Sequence, residues 1–290
     1  MKILFVTLCI LCGFLPVIAQ VSGNQTYSPQ NQGPKRNVQP MVSDGRPTVD
    51  RDHLFVDANI LMNVKAEEFV AMFGVAQEAA TPAECSQKLD AKIADFSSRM
   101  KSLGINQADI FVDYTTQNRI YDFNLSKGVA KEKAAGFEAK RTVSVHYTKS
   151  DLFDQIVANA SAAGVFDLVK VDYIVKDVSK IKNALLEAAQ KVIKDKEARY
   201  GTLFGIKVGS RMQVDMEKYS VYYPAELYST YTAYESGAVS YSADTQEARK
   251  SQTVFFNPLN ADGFDTVINP VVLEPVIQFT VFLRVIYRVD

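Results

Sequence analysis

The chain carries few residues of the types that perform covalent or metal chemistry. Its 290 residues include only 2 His and 3 Cys. A cysteine nucleophile needs a nearby imidazole, and Cys85 could use only His53 or His146. Cys85 begins the apolar stripe of a predicted helix, which favours a buried and unreactive thiol. The same shortage of imidazole and thiolate ligands excludes the usual zinc, copper and iron–sulfur sites.

Motifs for the common hydrolase and nucleotide-binding reactions do not occur in the sequence. There is no Gly-x-Ser-x-Gly elbow, and no Gly-Lys-Ser or Gly-Lys-Thr phosphate loop. The carboxylates Glu67 and Glu68 are neighbours on a predicted strand, so their side chains point to opposite faces and do not form an acid/base pair. We therefore expect a protein that is not an enzyme and that needs no metal or other cofactor.

The overall charge gives no support for a nucleic-acid partner. The chain has 32 Lys and Arg against 33 Asp and Glu, which is a formal net charge of -1. A predicted long helix over residues 179–200 is rich in lysine, but Glu187, Asp195 and Glu197 balance half of its basic residues. This balance indicates a solvated outer face and not a nucleic-acid surface.

Half of the tyrosines fall in one short stretch of the chain, between positions 219 and 241. A tyrosine buries a large ring at a small entropic cost and keeps a polar tip, which suits subunit interfaces and ligand-binding surfaces. An ordinary β-hairpin whose rings cover its sheet explains the same density, and a saccharide or membrane surface is a third explanation. The residues that we select as an interface or ligand surface are Tyr219, Tyr222, Tyr223, Tyr228, Tyr231 and Tyr234.

The first residues have the composition of an export signal. Lys2 supplies a positive charge, residues 3–15 are apolar, and Pro16 precedes the small-residue end Val17-Ile18-Ala19. This pattern predicts a signal peptide over residues 1–19 that is cleaved before Gln20. The apolar run is shorter than the roughly 20 residues of a membrane anchor. We therefore expect an exported protein in the periplasm or associated with the outer envelope.

Residues 20–52 are rich in Asn, Gln, Ser, Pro and Gly, which predicts a flexible linker. One domain is expected to follow over residues 53–290. Removal of the signal peptide also removes Cys9 and Cys12, so Cys85 is left without an intramolecular disulfide partner. The domain must therefore be stable through its hydrophobic core alone.

Apolar periodicity predicts a succession of strands and helices in this domain. Thr81-Pro82-Ala83-Glu84 has the N-cap threonine, the first-turn proline and the capping-box glutamate of a helix start, and Gly104 marks the helix end. The other predicted elements are strands over residues 54–64, 69–75, 105–119, 137–147, 165–175 and 277–289, helices over 151–164 and 179–200, and a polar connection over 124–136.

The order of these elements predicts an α+β fold. From Phe69 the order is strand, helix, strand, strand, helix, strand, which is typical of a ferredoxin-like βαββαβ core. An additional long helix and C-terminal antiparallel strands follow this core. The last strand is apolar at every second residue from Ile277 to Val289, so we expect it to be central in a sheet or to pair across a subunit boundary. His146 is expected on a solvent-facing or interface side of its strand.

Several local motifs follow one another along the predicted domain. They are Phe-Val-Ala-Met-Phe-Gly-Val at 69–75, Thr-Pro-Ala-Glu at 81–84, Lys-Ser-Leu-Gly-Ile at 101–105, Ala-Asp-Ile at 108–110, Val-Ser-Val at 143–145, Ala-Gly at 163–164 and Tyr-Gly at 200–201. In this order they resemble the SIMPL-domain family, a domain of unknown function. The resemblance covers residues 54–290, except for a Tyr-rich insertion at about 219–269. The usual glycine and Pro-Asp of the family near the first strands are replaced by residues 63–68.

The resemblance implies an envelope protein with a role in oxidative-stress tolerance, a tendency to self-associate, and no catalytic residues to transfer. The first functional hypothesis is therefore a non-enzymatic homo-oligomer that assembles through the tyrosine-rich segment and the last strand. The alternative is a binding module in which the tyrosines hold a peptide, a glycan or a hydrophobic ligand. Peripheral membrane association is compatible with both hypotheses.

Overall fold

A computed structural model describes residues 49–50, 52–126, 129–231 and 253–289. The predicted signal peptide, most of the predicted linker and Tyr234 lie outside the described residues. The helices are α1 (Pro82–Ser102), α2 (Leu152–Ala162) and α3 (Val178–Phe204). The strands are β1 (Val49–Asp50), β2 (His53–Val64), β3 (Glu68–Ala79), β4 (Ile110–Val112), β5 (Thr116–Ser126), β6 (Val129–Tyr147), β7 (Asp167–Ile174), β8 (Val208–Tyr222), β9 (Tyr228–Tyr231), β10 (Thr253–Phe256), β11 (Thr266–Ile268) and β12 (Ile277–Val289).

The first layer is an antiparallel sheet with strand order β4-β6-β3-β7, in which β5 pairs with β6 beyond β4. Helices α1 and α2 belong to the same hydrophobic core as this sheet. The core forms because alternate residues of each strand point to one face. Its largest fully buried side chains include Phe73, Phe96, Leu89, Met100 and Ile156.

Helix α1 begins and ends where the sequence predicts. The hydroxyl of Thr81 accepts a hydrogen bond from the backbone N–H of Glu84 at 3.2 Å, and Pro82 occupies the first turn. The chain leaves the helix through Gly104 at a φ of 84°, a left-handed conformation that costs glycine little. The buried face carries Cys85, Leu89, Ile93, Phe96 and Met100, the stripe expected from their spacing.

The second layer is a sheet with strand order β1-β2-β12-β8, and α3 packs on β2 and β12. Strand β11 pairs parallel with β2. The strand β12 lies between β2 and β8 and pairs antiparallel with both, which confirms the expectation of a central position. A second hydrophobic core lies between this sheet and α3, with Leu54, Ile60, Leu185 and Ile277 fully buried.

The opposite face of the second sheet is covered by polar contacts from the segment before β12. Gln278 is fully buried, and its Nε2 donates to Asn63 Oδ1 at 2.7 Å. The Gln278 Oε1 accepts from the backbone N–H of Leu259 at 2.6 Å. Asn63 and Asn269 exchange hydrogen bonds between side-chain amide and backbone carbonyl. These bonds satisfy buried amides and hold the segment against the sheet.

The α+β class is confirmed, and the structure adds two features to the expected organisation and corrects one prediction. The opening strand β2 and the C-terminal strand β12 pair with each other in a second sheet. Val49 and Asp50, within the predicted linker, form the short strand β1 beside β2. The prediction of a connection over residues 124–136 is wrong, because β5 and β6 pair as a hairpin as far as Ser126 and Val129. Tyr121, Phe123 and Leu125 alternate with polar residues, and this local strand signal was not used in the prediction.

Candidate ligand-binding cavity

A cavity of about 500 Å³ lies where the ends of the two sheets meet. The first layer contributes Phe69 at the start of β3, Tyr147 at the end of β6 and Tyr173 near the end of β7. The second layer contributes the residues next to the ends of β2 and β12, and the strand β9 contributes Tyr228. The complete lining is Lys65, Ala66, Phe69, Tyr147, Thr148, Ser150, Phe153, Tyr173, Tyr228, Glu274 and Pro275.

Antiparallel pairing brings the aromatic walls of this cavity together. Phe69 lies directly opposite Tyr147 on β6 and opposite Tyr173 on β7. The rings of Phe69 and Tyr147 stack with their centroids 5.2 Å apart, and Phe69 meets Tyr173 edge-on at 5.4 Å. Such ring pairs contribute about 0.5–1.5 kcal/mol beyond their buried area. The wall is therefore a row of packed rings that crosses three neighbouring strands of the first sheet near their ends.

Tyr228 closes the cavity from the side of β9. Its ring packs edge-on against Phe256 at 5.8 Å, in the hairpin that β9 forms with β10. Burial raises the pKa of Tyr228, and a hydrogen bond with the side chain of Tyr173 opposes this rise. Tyr228 thereby joins the rings of the first layer to the tyrosine-rich segment of the chain.

The charged groups of the lining compensate each other. Lys65 and Glu274 form an ion pair, although 79% of the lysine side chain and 42% of the glutamate side chain are exposed. The remaining polar groups of the lining side chains are the hydroxyls of Thr148, Ser150 and the three tyrosines. The cavity therefore combines aromatic walls and hydroxyl groups with no net charge.

The structure places the predicted tyrosines at separate positions. Tyr219 lies on the α3 side of β8, where its ring is 5.3 Å from the Nζ atom of Lys182. Burial raises the pKa of Tyr219 to about 12, with a contribution from Glu217. Tyr222 is three residues further along an extended strand and so points to the opposite face. Tyr223 follows the strand with 47% of its surface exposed.

Among the selected tyrosines whose side chains the structure describes, Tyr228 is the one that lines the cavity. Tyr231 ends the strand β9, and Tyr234 lies outside the described residues. The lining residues Phe69, Tyr147, Phe153 and Tyr173 were missed by sequence reasoning, because each reads as an ordinary member of a strand or helix. Strand register is the signal that would have found three of them, since it places Tyr147 and Tyr173 on either side of Phe69.

Cys85 and the histidines do not come together. Cys85 is fully buried, and its Sγ donates to the carbonyls of Gln77 at 3.0 Å and Phe137 at 3.4 Å, which confirms the expectation of a buried thiol. His53 is exposed at the start of β2. His146 lies on the face of β6 that points away from the hydrophobic core of the first layer, in which Cys85 is buried. The structure therefore gives Cys85 no imidazole partner.

His146 lies between two carboxylates on the outer face of the first sheet. Its Nδ1 is 2.8 Å from Asp109 Oδ1, and its Nε2 is 3.4 Å from Glu68 Oε2. The hydrogen bond with Asp109 raises the pKa of His146, partial burial opposes the rise, and Glu68 adds to it. A hydrogen bond from Lys176 lowers the pKa of Glu68, and one from His146 lowers the pKa of Asp109.

This cluster is not arranged to hold a metal ion. Asp109 contacts Nδ1 of the imidazole and Glu68 contacts Nε2, so the three side chains do not converge on one point where an ion could bind. Among the residues that the structure describes, no group of three or more His, Cys, Asp or Glu side chains could hold a metal ion. The arrangement instead favours the protonated imidazole, which forms an ion pair with each carboxylate.

We expect His146→Asn to destabilise the protein in mildly acidic solution and to have little effect in mildly alkaline solution. The pKa of His146 is raised in the folded state above its ordinary value of 6.5. Its contribution is therefore fully present below this value and is lost as the pH rises through the folded-state pKa. Asp109 and Glu68 have lowered pKa values, so their contribution is lost only in more acidic solution.

Urea unfolding of the wild type and of His146→Asn at about pH 6 and about pH 9 measures how the loss of stability depends on pH. The variant His53→Asn is the matched control, because it removes the other histidine of the chain at an exposed position. An equal loss of stability for His146→Asn at both pH values would mean that the imidazole contributes through shape and not through its charge.

Comparison with known proteins identifies one family. A family model described as SIMPL, protein of unknown function (DUF541), matches residues 56–256, which is more than half of the chain. A comparison with curated proteins finds no match. Among the helices that the structure describes, none has both the length and the apolar character needed to cross a membrane. The matched range includes the first layer, Tyr228, and from the second layer most of β2, the helix α3 and the strand β8, and it ends before β11 and β12.

Proposed function

The chain belongs to the SIMPL family, and we propose that it is a non-enzymatic binding protein that holds a small amphipathic molecule in the cavity between its two layers. The observation that carries this proposal is the convergence of five aromatic side chains on one cavity of about 500 Å³. Small-molecule sites are typically apolar concave spaces of roughly 300–1,000 Å³ with a few polar groups that orient the ligand. The cavity has this size and this mixture of groups.

Binding is better supported than self-assembly through the tyrosine-rich segment. Tyr219 and Tyr222 point to opposite faces of β8, and Tyr228 points into the cavity, so these side chains do not share one surface. Among the described strands, β8 pairs only with β12. A register shift interrupts this pairing near Asp215, and Asp215, Glu217 and Lys218 are exposed along the strand. Bulges and charges on an edge strand oppose pairing with another chain.

We extend the proposal to the architecture and the location of the protein. The order β4-β6-β3-β7, with every neighbouring pair antiparallel and with α1 and α2 as connections, supports a ferredoxin-like unit as the first layer. The signal-peptide pattern of residues 1–19 supports export to the periplasm or the outer envelope. A binding role in that compartment is compatible with a contribution to oxidative-stress tolerance.

Filling the cavity is expected to abolish binding. We expect the chain from Gln20 onward to retain at least one of five probes in equilibrium dialysis: naphthol, naphthoate, naphthylmethylammonium, decahydronaphthol or maltose. The variant Thr148→Trp places a large ring in the wall of the cavity, and we expect it to weaken binding of that probe at least about tenfold.

The control is Lys149→Trp, which adds the same ring at the next position, exposed and outside the cavity lining. It is expected to bind the probe as the wild type does. The proposal is wrong if no probe binds to the wild type, or if Thr148→Trp and Lys149→Trp bind the probe equally well. Circular dichroism of both variants checks that each one is folded.

A further inference from the structure

We infer that the cavity selects an uncharged ligand that combines an aromatic ring with a hydroxyl or carbonyl group. This inference rests on the proposed function and names the chemical class of the ligand. Three features of the lining carry it: the compensated charges, the aromatic rings, and the hydroxyl groups among them.

The charges of the lining disfavour an ionic ligand. Lys65 and Glu274 supply the only charged side chains of this described lining, and they form an ion pair with each other. A charged ligand that enters the cavity loses hydration and finds no unpaired counter-charge, whereas a neutral ligand does not have this cost. An anion must compete with Glu274 for Lys65, and a cation must compete with Lys65 for Glu274.

The rings favour a flat aromatic ligand over an aliphatic one of the same size. Phe69 makes a stacked contact with Tyr147 and an edge-on contact with Tyr173, so the wall already contains both favourable geometries of aromatic pairs. Tyr228 and Phe153 add two further rings to the lining. A ligand ring extends this arrangement and gains ring contacts that a saturated ring of similar volume lacks.

The hydroxyl groups favour a ligand with one polar end. Tyr228 and Tyr173 are hydrogen-bonded to each other, and burial raises the pKa of Tyr228, so the Tyr228 phenol is uncharged near neutral pH. Thr148 and Ser150 are exposed residues of the turn between β6 and α2. A hydroxyl or carbonyl of the ligand fits this mixture, because neutral hydroxyls both donate and accept hydrogen bonds.

The inference is tested with the naphthyl probes in equilibrium dialysis. We expect naphthol to bind at least about tenfold more tightly than naphthoate, naphthylmethylammonium or decahydronaphthol. Tyr228→Leu removes a ring and a hydroxyl, and is expected to weaken naphthol binding about tenfold. Tyr228→Phe retains the ring and is expected to weaken it about threefold. Tyr223→Leu, at an exposed tyrosine outside the lining, is the control that leaves binding unchanged.

A change of charge at the cavity provides a second readout. Glu274→Gln leaves the ammonium of Lys65 without its carboxylate, so we expect naphthoate to bind about threefold more tightly while naphthol binding stays the same. Lys65→Gln leaves the carboxylate of Glu274 without its ammonium partner, so we expect naphthylmethylammonium to bind about threefold more tightly. These shifts are small because both side chains are partly exposed to water.

The outcomes separate the ligand class from the proposed function. If a charged or saturated probe, or maltose, binds more tightly than naphthol and is lost in Thr148→Trp, the cavity binds ligands but the inferred class is wrong. If naphthol binds equally well to the wild type and to Thr148→Trp, the probe occupies another place and both proposals fail. Equal binding of naphthol to the wild type and to Tyr228→Leu likewise overturns the ligand class.

Discussion

Arg284→Met is expected to lower the free energy of unfolding by about 3 kcal/mol, because it leaves the buried carboxylate of Asp57 without its charged partner. The two residues lie directly opposite each other on β12 and β2. Arg284 Nε donates to Asp57 Oδ1 at 2.7 Å, and Arg284 Nη2 donates to Asp57 Oδ2 at 2.9 Å. Only 6% of the Asp57 side chain is exposed, so water cannot replace the guanidinium.

Urea unfolding of the wild type, Arg284→Met and the double variant Asp57→Leu/Arg284→Met measures this effect. The double variant removes both charges, so we expect it to recover most of the lost stability. Arg288→Met is the matched control, since Arg288 lies on the same face of β12 and is exposed. We expect the control to change stability by less than about 0.5 kcal/mol. Equal losses for Arg284→Met and Arg288→Met would contradict a stabilising role of the ion pair.

Elements with local signals could be predicted from the sequence. Helix α1 has its cap, its first-turn proline and its terminating glycine within one continuous stretch, so its bounds follow from nearby residues alone. The alternation in β12 likewise predicts a strand with one apolar face, and the structure places this strand between β2 and β8. Cys85 is buried because it takes the first position of the apolar stripe of α1.

The partner of each strand could not be predicted in the same way. Alternation shows which residues of a strand share a face, but it does not show which strand lies beside them. β2 precedes β3 in the chain and nevertheless pairs with β12, so that Val56 lies opposite Val285. On the other face of this sheet, the hydrogen bonds of Asn63 with Gln278 and with Asn269 also join residues more than 200 positions apart.

The cavity was beyond sequence reasoning for the same physical reason. Lys65 follows β2 and Glu274 precedes β12 at the same end of the second sheet, and their pairing follows from the antiparallel contact between these strands. One residue of the tyrosine-dense stretch, Tyr228, lies in the wall of the cavity. However, Tyr219 and Tyr222 are three residues apart, so on an extended strand their side chains point to opposite faces. This spacing alone could have shown that the two tyrosines do not form one surface.

Phe96→Ala is expected to destabilise the protein by about 3–5 kcal/mol, because it removes a large ring from the centre of the first core. Phe96 lies on the buried face of α1 and is fully buried. Its ring contacts Phe73 of β3 edge-on, with centroids 5.4 Å apart. The empty space left by the lost ring cannot collapse easily, because α1 and the first sheet pack around it through several buried side chains.

Chemical unfolding compares Phe96→Ala with Phe111→Ala, which removes the same ring from the edge strand β4 of the same sheet. Phe111 is 65% exposed, so we expect its loss to cost less than about 0.5 kcal/mol. Comparable losses for the two variants would mean that α1 does not pack on the sheet through Phe96. A large loss for Phe96→Ala alone supports this packing. Phe69 depends on the same packing, because it belongs to this core while it also lines the cavity between the two layers.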